Sequence, residues 1–160
     1  MINTEQAYML AEQVLWLIED YIGLASQPKR YGTDMLFHRL DIHLIHTIGE
    51  RPGINVTELA TSHDITKSAV SQAVKKLERR HLVERYKREE NKKEVLFRLT
   101  ETGSVAYNAH RSFHENSERT FVEALSHLTE EEAQTVRKLV GILQDRAERV
   151  RQLIAEDTRQ

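Results

Sequence analysis

Apolar positions recur at helical spacing over most of the chain, and the breaks between the runs divide it into elements. Leu10, Val14, Leu17, Ile18, Tyr21 and Ile22 mark a first helix over residues 5–25, with Asn3 or Thr4 available as its N-cap. Pro28 and Gly32 place a loop over residues 26–33. A second helix carries Leu36, Leu40, Leu44, Ile45 and Ile48 and stops at Gly49, with Pro52 and Gly53 beyond. Asn55 with Glu58 forms a capping-box pattern and predicts a short third helix over residues 56–62. After a turn at residues 63–65, Thr66 caps a fourth helix whose stripe is Ala69, Val70, Ala73, Val74 and Leu77.

Residues 82–88 and 94–99 read as two strands around a polar tip at 89–93, the second alternating at Val95, Phe97 and Leu99. A long helix then runs from Thr100 to about His127, with Val105, Ala109, Phe113, Phe121, Ala124 and Leu125 on its apolar side. Thr129 and Glu132 make a second capping box, opening a last helix that carries Val136, Leu139, Val140, Leu143, Ala147, Val150, Leu153 and Ile154. The expected fold class is mainly α with a small β-hairpin wing: a helix-turn-helix lobe with helices attached on both sides. The chain is expected to divide into an N-terminal helix and loop (1–36), a winged helix-turn-helix lobe (37–103) and C-terminal helices (104–160).

Charge sharpens this picture. The chain of 160 residues has a net charge of −2, yet between Thr66 and Arg98 eleven Lys and Arg face five Glu. An acidic body with one basic segment suits a phosphate-binding face. An α-helix fits the major groove of B-DNA, and its first turns bring short polar and basic side chains to base edges and phosphates. Thr66, Lys67, Ser68, Ser71, Gln72, Lys75 and Lys76 occupy that part of the fourth helix, off its apolar stripe. Gln72 can read adenine through paired hydrogen bonds, and Ser68 and Ser71 can approach bases or phosphates. Arg88, Lys92 and Lys93 on the wing would meet the backbone or the adjacent minor groove. A charge run is also commonly just a solvated face, and periodicity, caps and ribbon leave that alternative open.

Other classes find less support. There is no apolar run of the roughly 20 residues a bilayer requires, and acidic residues Glu5, Glu12, Glu19 and Asp20 interrupt the N-terminus, so a cytoplasmic location without membrane partners is expected. Cysteine is absent, which excludes disulfides, thiolate metal sites and a cysteine nucleophile. No glycine-rich phosphate loop or nucleophile elbow occurs, and His110 is not followed by the Glu that a zinc hydrolase uses as general base. A helical scaffold protein would explain the amphipathic helices but not the basic helix and wing.

NVTELA at 55–60, ITKSAVSQAVKKLER at 65–79, LVER at 82–85 and LTETG at 99–103 together resemble the MarR family in residue type and spacing. The resemblance covers roughly residues 37–105. It implies a DNA-binding repressor or activator, with the fourth helix as recognition helix and the first and last two helices building a homodimer on a pseudo-palindromic duplex. Two positions depart from the family pattern. His81 stands where the family usually has Gly, at a place that often needs a left-handed backbone. Asn91, Lys92 and Lys93 replace a wing tip of Asp, a variable residue and Arg, so the minor-groove role passes to Lys93, which lacks the planar guanidinium.

The resemblance also implies a signal, either a small-molecule inducer or a metal, since no cysteine is present to be oxidised. No cofactor is required for the fold, but Zn(II) enters as a candidate effector. His110 and His114 lie one turn apart on one helix, where two imidazoles can share an ion. The zinc-responsive branch of the family uses a His on the second helix and a His pair on the fifth, which fall on His43, His110 and His114. Its fourth ligand, a Glu near the end of the first helix, has no clean counterpart, because Glu19 and Asp20 come too early.

Overall fold

The computed structural model describes residues 2–158. Its elements run α1 (Thr4–Ser26), α2 (Arg39–Glu50), β1 (Ile54–Asn55), α3 (Val56–His63), α4 (Lys67–Arg79), β2 (Val83–Arg88), β3 (Asn91–Leu99), α5 (Glu101–Ser126) and α6 (Glu130–Asp157). Three of the helices begin with complete capping boxes, at Asn3/Gln6, Asn55/Glu58 and Thr129/Glu132. Each pairs two N–H groups that the first helical turn leaves without partners.

The chain divides into two units, Met1–Phe113 and His114–Gln160. The core of the first is built from Ile42, Leu44, Ile45 and Ile48 of α2, Leu59 of α3, Val70, Val74 and Leu77 of α4, and Leu82, Val83 and Phe97 around the sheet. Val70 and Leu77 retain no exposed surface, so the stripe read on the fourth helix is its buried face. The sheet has three antiparallel strands in the order β1-β3-β2. Ile54 pairs with Phe97 and Val83 with Leu99.

Several expectations are corrected. The sequence predicts a two-stranded wing, whereas Ile54 and Asn55 add a third strand before the α3 capping box. Such a two-residue strand has no periodicity to detect. The wing turn is tighter than expected: Arg88 pairs with Asn91, leaving Glu89 and Glu90 as the turn and placing Lys92 and Lys93 on β3. Leu36 is not helical. α2 begins at Arg39, and the residues before it close back through paired Lys29 and Phe37 backbones, which buries Tyr31 and Phe37 beside the core. His81 does take the left-handed conformation expected at its position, at φ 55°.

Hydrophobic surface stays exposed on the flanking helices. α1 contains no buried residue, and Trp16, Tyr21 and Ile22 on it are each more than half exposed. In the second unit Phe121 and Val122 of α5 and Ile142, Leu153 and Ile154 of α6 are likewise exposed. Among the described residues no helix is long and apolar enough to cross a membrane.

Candidate nucleic-acid interface and metal centre

The turn between α3 and α4 is set by Asp64, whose left-handed backbone (φ 51°, ψ 45°) closes α3 while its N–H reaches back to the last turn. Asp tolerates that region better than bulkier residues. Thr66 then caps α4 by accepting the Ala69 N–H at 3.2 Å, so its hydroxyl is committed to the fold. With Val70, Val74 and Leu77 turned inward, Lys67, Ser68, Gln72 and Lys75 stand exposed on the opposite side. Ser71 is half-buried and donates to the Lys67 carbonyl at 2.7 Å. A shallow groove lined by Thr57, Thr61, Asp64, Thr66 and Lys67 runs along the helix-turn-helix front. Arg88, Lys92 and Lys93 are exposed at the wing.

Lys76 is placed differently from the other DNA-binding candidates. Its Nζ lies 2.6 Å from Oδ2 of Asp41, a carboxylate whose side chain is only 5% exposed, and Arg80 Nη1 reaches the same oxygen at 3.4 Å. Arg80 also donates to the Leu36 carbonyl and lies over the Phe37 ring. Asp41 thus ties the second half of α4 to the start of α2. Charge partners likewise occupy Arg85, bound to Glu78, and Arg98, bound to Glu84 at 2.7 Å. A second tie joins α2 to α3, where Thr47 Oγ1 and His63 Nε2 lie 2.9 Å apart. Burial, and then the nearby Arg51 charge, lower the His63 pKa below its ordinary value.

The predicted histidines meet on α2 and α5. The His43 and His110 rings meet edge to face at 5.6 Å, and His110 is 3% exposed. His114 follows one turn later on the uninterrupted α5, and one ligand atom from each of His43, His110 and His114 lies within 4.8 Å of the others. Tyr31 stands edge-on to the His110 ring at 5.1 Å. The donor chemistry fits a borderline metal such as Zn(II), for which neutral imidazole is a common ligand. Neither Glu19 nor Asp20 belongs to the set, among the described residues. The sequence reads His46 as an ordinary helix residue, yet its ring lies 5.3 Å from that of His110.

The MarR family model matches residues 38–95, the span from the start of α2 into the wing. An HTH-type transcriptional regulator of Bacillus subtilis, YhjH, is 31% identical over 130 residues, covering 79% of this chain and 74% of its own. The chain belongs to the MarR family. It is a DNA-binding transcriptional regulator, as the regulator names of its relatives and the exposed polar face of α4 agree. MarR-family folds recur among solved structures. Streptococcus pneumoniae FabT in complex with DNA superposes with a TM-score of 0.65 at 20% identity, over 90% of this chain and 99% of that one. Lactococcus lactis ZitR, a zinc-responsive MarR family member, does so with 0.69 at 19% identity, over 86% and 98%. At these identities the likeness establishes the winged-helix architecture alone.

Proposed function

We propose that this MarR-family regulator acts as a cytoplasmic homodimeric repressor without catalytic activity, and that a divalent metal ion held by His43, His110 and His114 changes its affinity for a pseudo-palindromic operator. The observation that carries the DNA reading is the division of α4 into a face closed by Val70, Val74 and Leu77 and an opposite face presenting Lys67, Ser68, Gln72 and Lys75. Wing residues Arg88, Lys92 and Lys93 extend that basic surface toward phosphates. Thr66 and Ser71 contribute by shaping the start of α4, and Lys76 by anchoring it.

Homodimerisation is supported by the apolar side chains left exposed on α1, α5 and α6, which a second copy of the chain would bury. Two copies related by a twofold axis would present two recognition helices about one turn of duplex apart, roughly 34 Å. The metal reading is supported by three imidazoles within ligating reach, one of them buried. When bound, the ion would crosslink α2 to α5; the residues supply neutral nitrogen donors and exclude water around His110. An organic inducer bound by the same lobe is the competing signal.

Fluorescence anisotropy of the chelator-treated chain on its own upstream DNA, titrated with Zn(II) and repeated with His110→Ala, tests the reading. Steep loss of affinity with salt and a zinc effect that requires His110 are expected. Tight binding indifferent to zinc would remove the metal and leave the organic inducer; no salt-dependent binding to any duplex would overturn the DNA reading.

A further inference from the structure

We propose that His46 is the fourth nitrogen ligand of the metal centre on α2 and α5, an inference that rests on the metal reading above. Three imidazoles leave one vertex open at a Zn(II) ion whose closed sites are four-coordinate. No carboxylate joins His43, His110 and His114 in the cluster, among the described residues. His46 stands three residues after His43 on α2, a spacing that puts both side chains on one face of the helix. The His110 ring contacts both, at 5.6 Å from His43 and 5.3 Å from His46, edge to face in each case.

Among the described residues, Nδ1 of His46 is buried without a hydrogen-bond partner. Buried polar atoms are rarely left so, and an unpaired one asks for a ligand, a water or an ion. The neighbouring Tyr107 ring is tilted against His46 at 5.6 Å, and its hydroxyl donates to Glu50. The His46 nitrogens lie outside the set gathered within 4.8 Å, so ligation requires a turn of the His46 side chain from one staggered rotamer to another. A four-imidazole set adds no negative charge, which selects for Zn(II), Ni(II) or Cu(II) over Mg(II), Ca(II) and Mn(II), whose preferred ligands are oxygen.

Co(II) replaces Zn(II) as a visible probe for the test. The full chain, stripped with chelator, is titrated with Co(II), and Zn(II) affinity is then measured by competition, for the wild type, His46→Ala and His46→Gln. Gln keeps the bulk and polarity of the site if Ala disturbs folding, and far-UV circular dichroism of the metal-free variants reports that. The wild type should give the intense visible bands of four-coordinate Co(II). Both variants should give the weaker bands of a site opened to water and lose about tenfold or more in Zn(II) affinity. Unchanged bands and affinity would overturn the proposal. Weaker affinity with unchanged bands would overturn it too, making His46 a positioning residue for His110. A wild type that binds neither ion defeats the metal reading itself.

Discussion

Lys75 and Lys76 are neighbours on α4, and composition treats them alike, but the fold places them differently. Lys75 is exposed on the polar face, whereas the Lys76 ammonium sits 2.6 Å from a carboxylate that is 5% exposed. Lys76→Ala removes a charge-assisted hydrogen bond, an interaction of about 1.5–3 kcal/mol when well shielded. The Lys76 side chain is itself 44% exposed, so water screens part of that interaction, and Arg80 stays 3.4 Å from the oxygen left behind. A loss of about 1–2 kcal/mol follows, or roughly 2–8 °C in Tm for a chain of this size. Lys75→Ala, with no side-chain partner to break among the described residues, should stay within about 0.5 kcal/mol. On DNA the order reverses. Lys75→Ala should lower the slope of log affinity against log salt by about 1 for each protomer engaged, and Lys76→Ala should change that slope little. Urea denaturation at fixed protein concentration and anisotropy at several salt concentrations measure the two quantities. Equal stability losses with equal changes of slope would refute the reasoning, because the Asp41 clamp would then not distinguish the two lysines.

Gln72→Ala should cost about 1–3 kcal/mol on the operator and relax preference at one base pair; equal loss on random duplex would show that Gln72 reads no base. Gly103→Ala places a Cβ 1.9 Å from the Leu82 carbonyl oxygen, backbone against backbone, so a loss of about 3 kcal/mol is expected in urea melts. His81→Gly relieves a left-handed non-glycine backbone and should raise stability by about 0.5–1 kcal/mol, part of the relief being returned as unfolded-chain entropy; a lower Tm would contradict this. His63 has a lowered pKa in the folded chain, so the unfolded chain binds its proton first as pH falls. Its contribution is complete above the unfolded value near 6.5 and is lost as pH drops through the folded one. Melting curves between pH 8 and about 5 should fall more steeply for the wild type than for His63→Gln.

Elements written in local patterns are legible in the sequence alone. The capping boxes at Asn55 and Thr129 and the stripe of α4 are short-range signatures, because a helix terminus solves its hydrogen-bond deficit within four residues. The start of α2 was misplaced for the same reason. Leu36 continues the apolar period, but Phe37 binds the Lys29 backbone across the loop and holds residues 36–38 out of the helix, a tertiary constraint no window reports. β1 escaped because its identity lies in pairing with Phe97 and Leu96, not in its own two residues. The apolar sides of α1, α5 and α6 are periodic in the sequence and exposed in the fold. Exposure decides that they face outward in a single chain.

The sites divide along the same line. Gln72, Ser68 and Lys75 could be placed from helical phase, since knowing which face is buried also gives the face that is free. The partner of Lys76 could not, because Asp41 lies 35 residues earlier and looks like any acid in a first helical turn. His63 carried no signal at all until Thr47, 16 residues away, came within 2.9 Å of it. Among the histidines, His110 and His114 announce themselves by spacing, while His46 differs from an ordinary helix residue only through its place beside His110 and Tyr107. α2 is the common term in all of these contacts. Through Asp41 it meets α4, through Thr47 it meets α3, and through His43 and His46 it meets α5. A helix of 12 residues that touches both helices of the DNA-reading motif and the histidine cluster can bias one by the other only if its position differs between metal-bound and metal-free states, since a ligand shifts an equilibrium by no more than its differential affinity for the two.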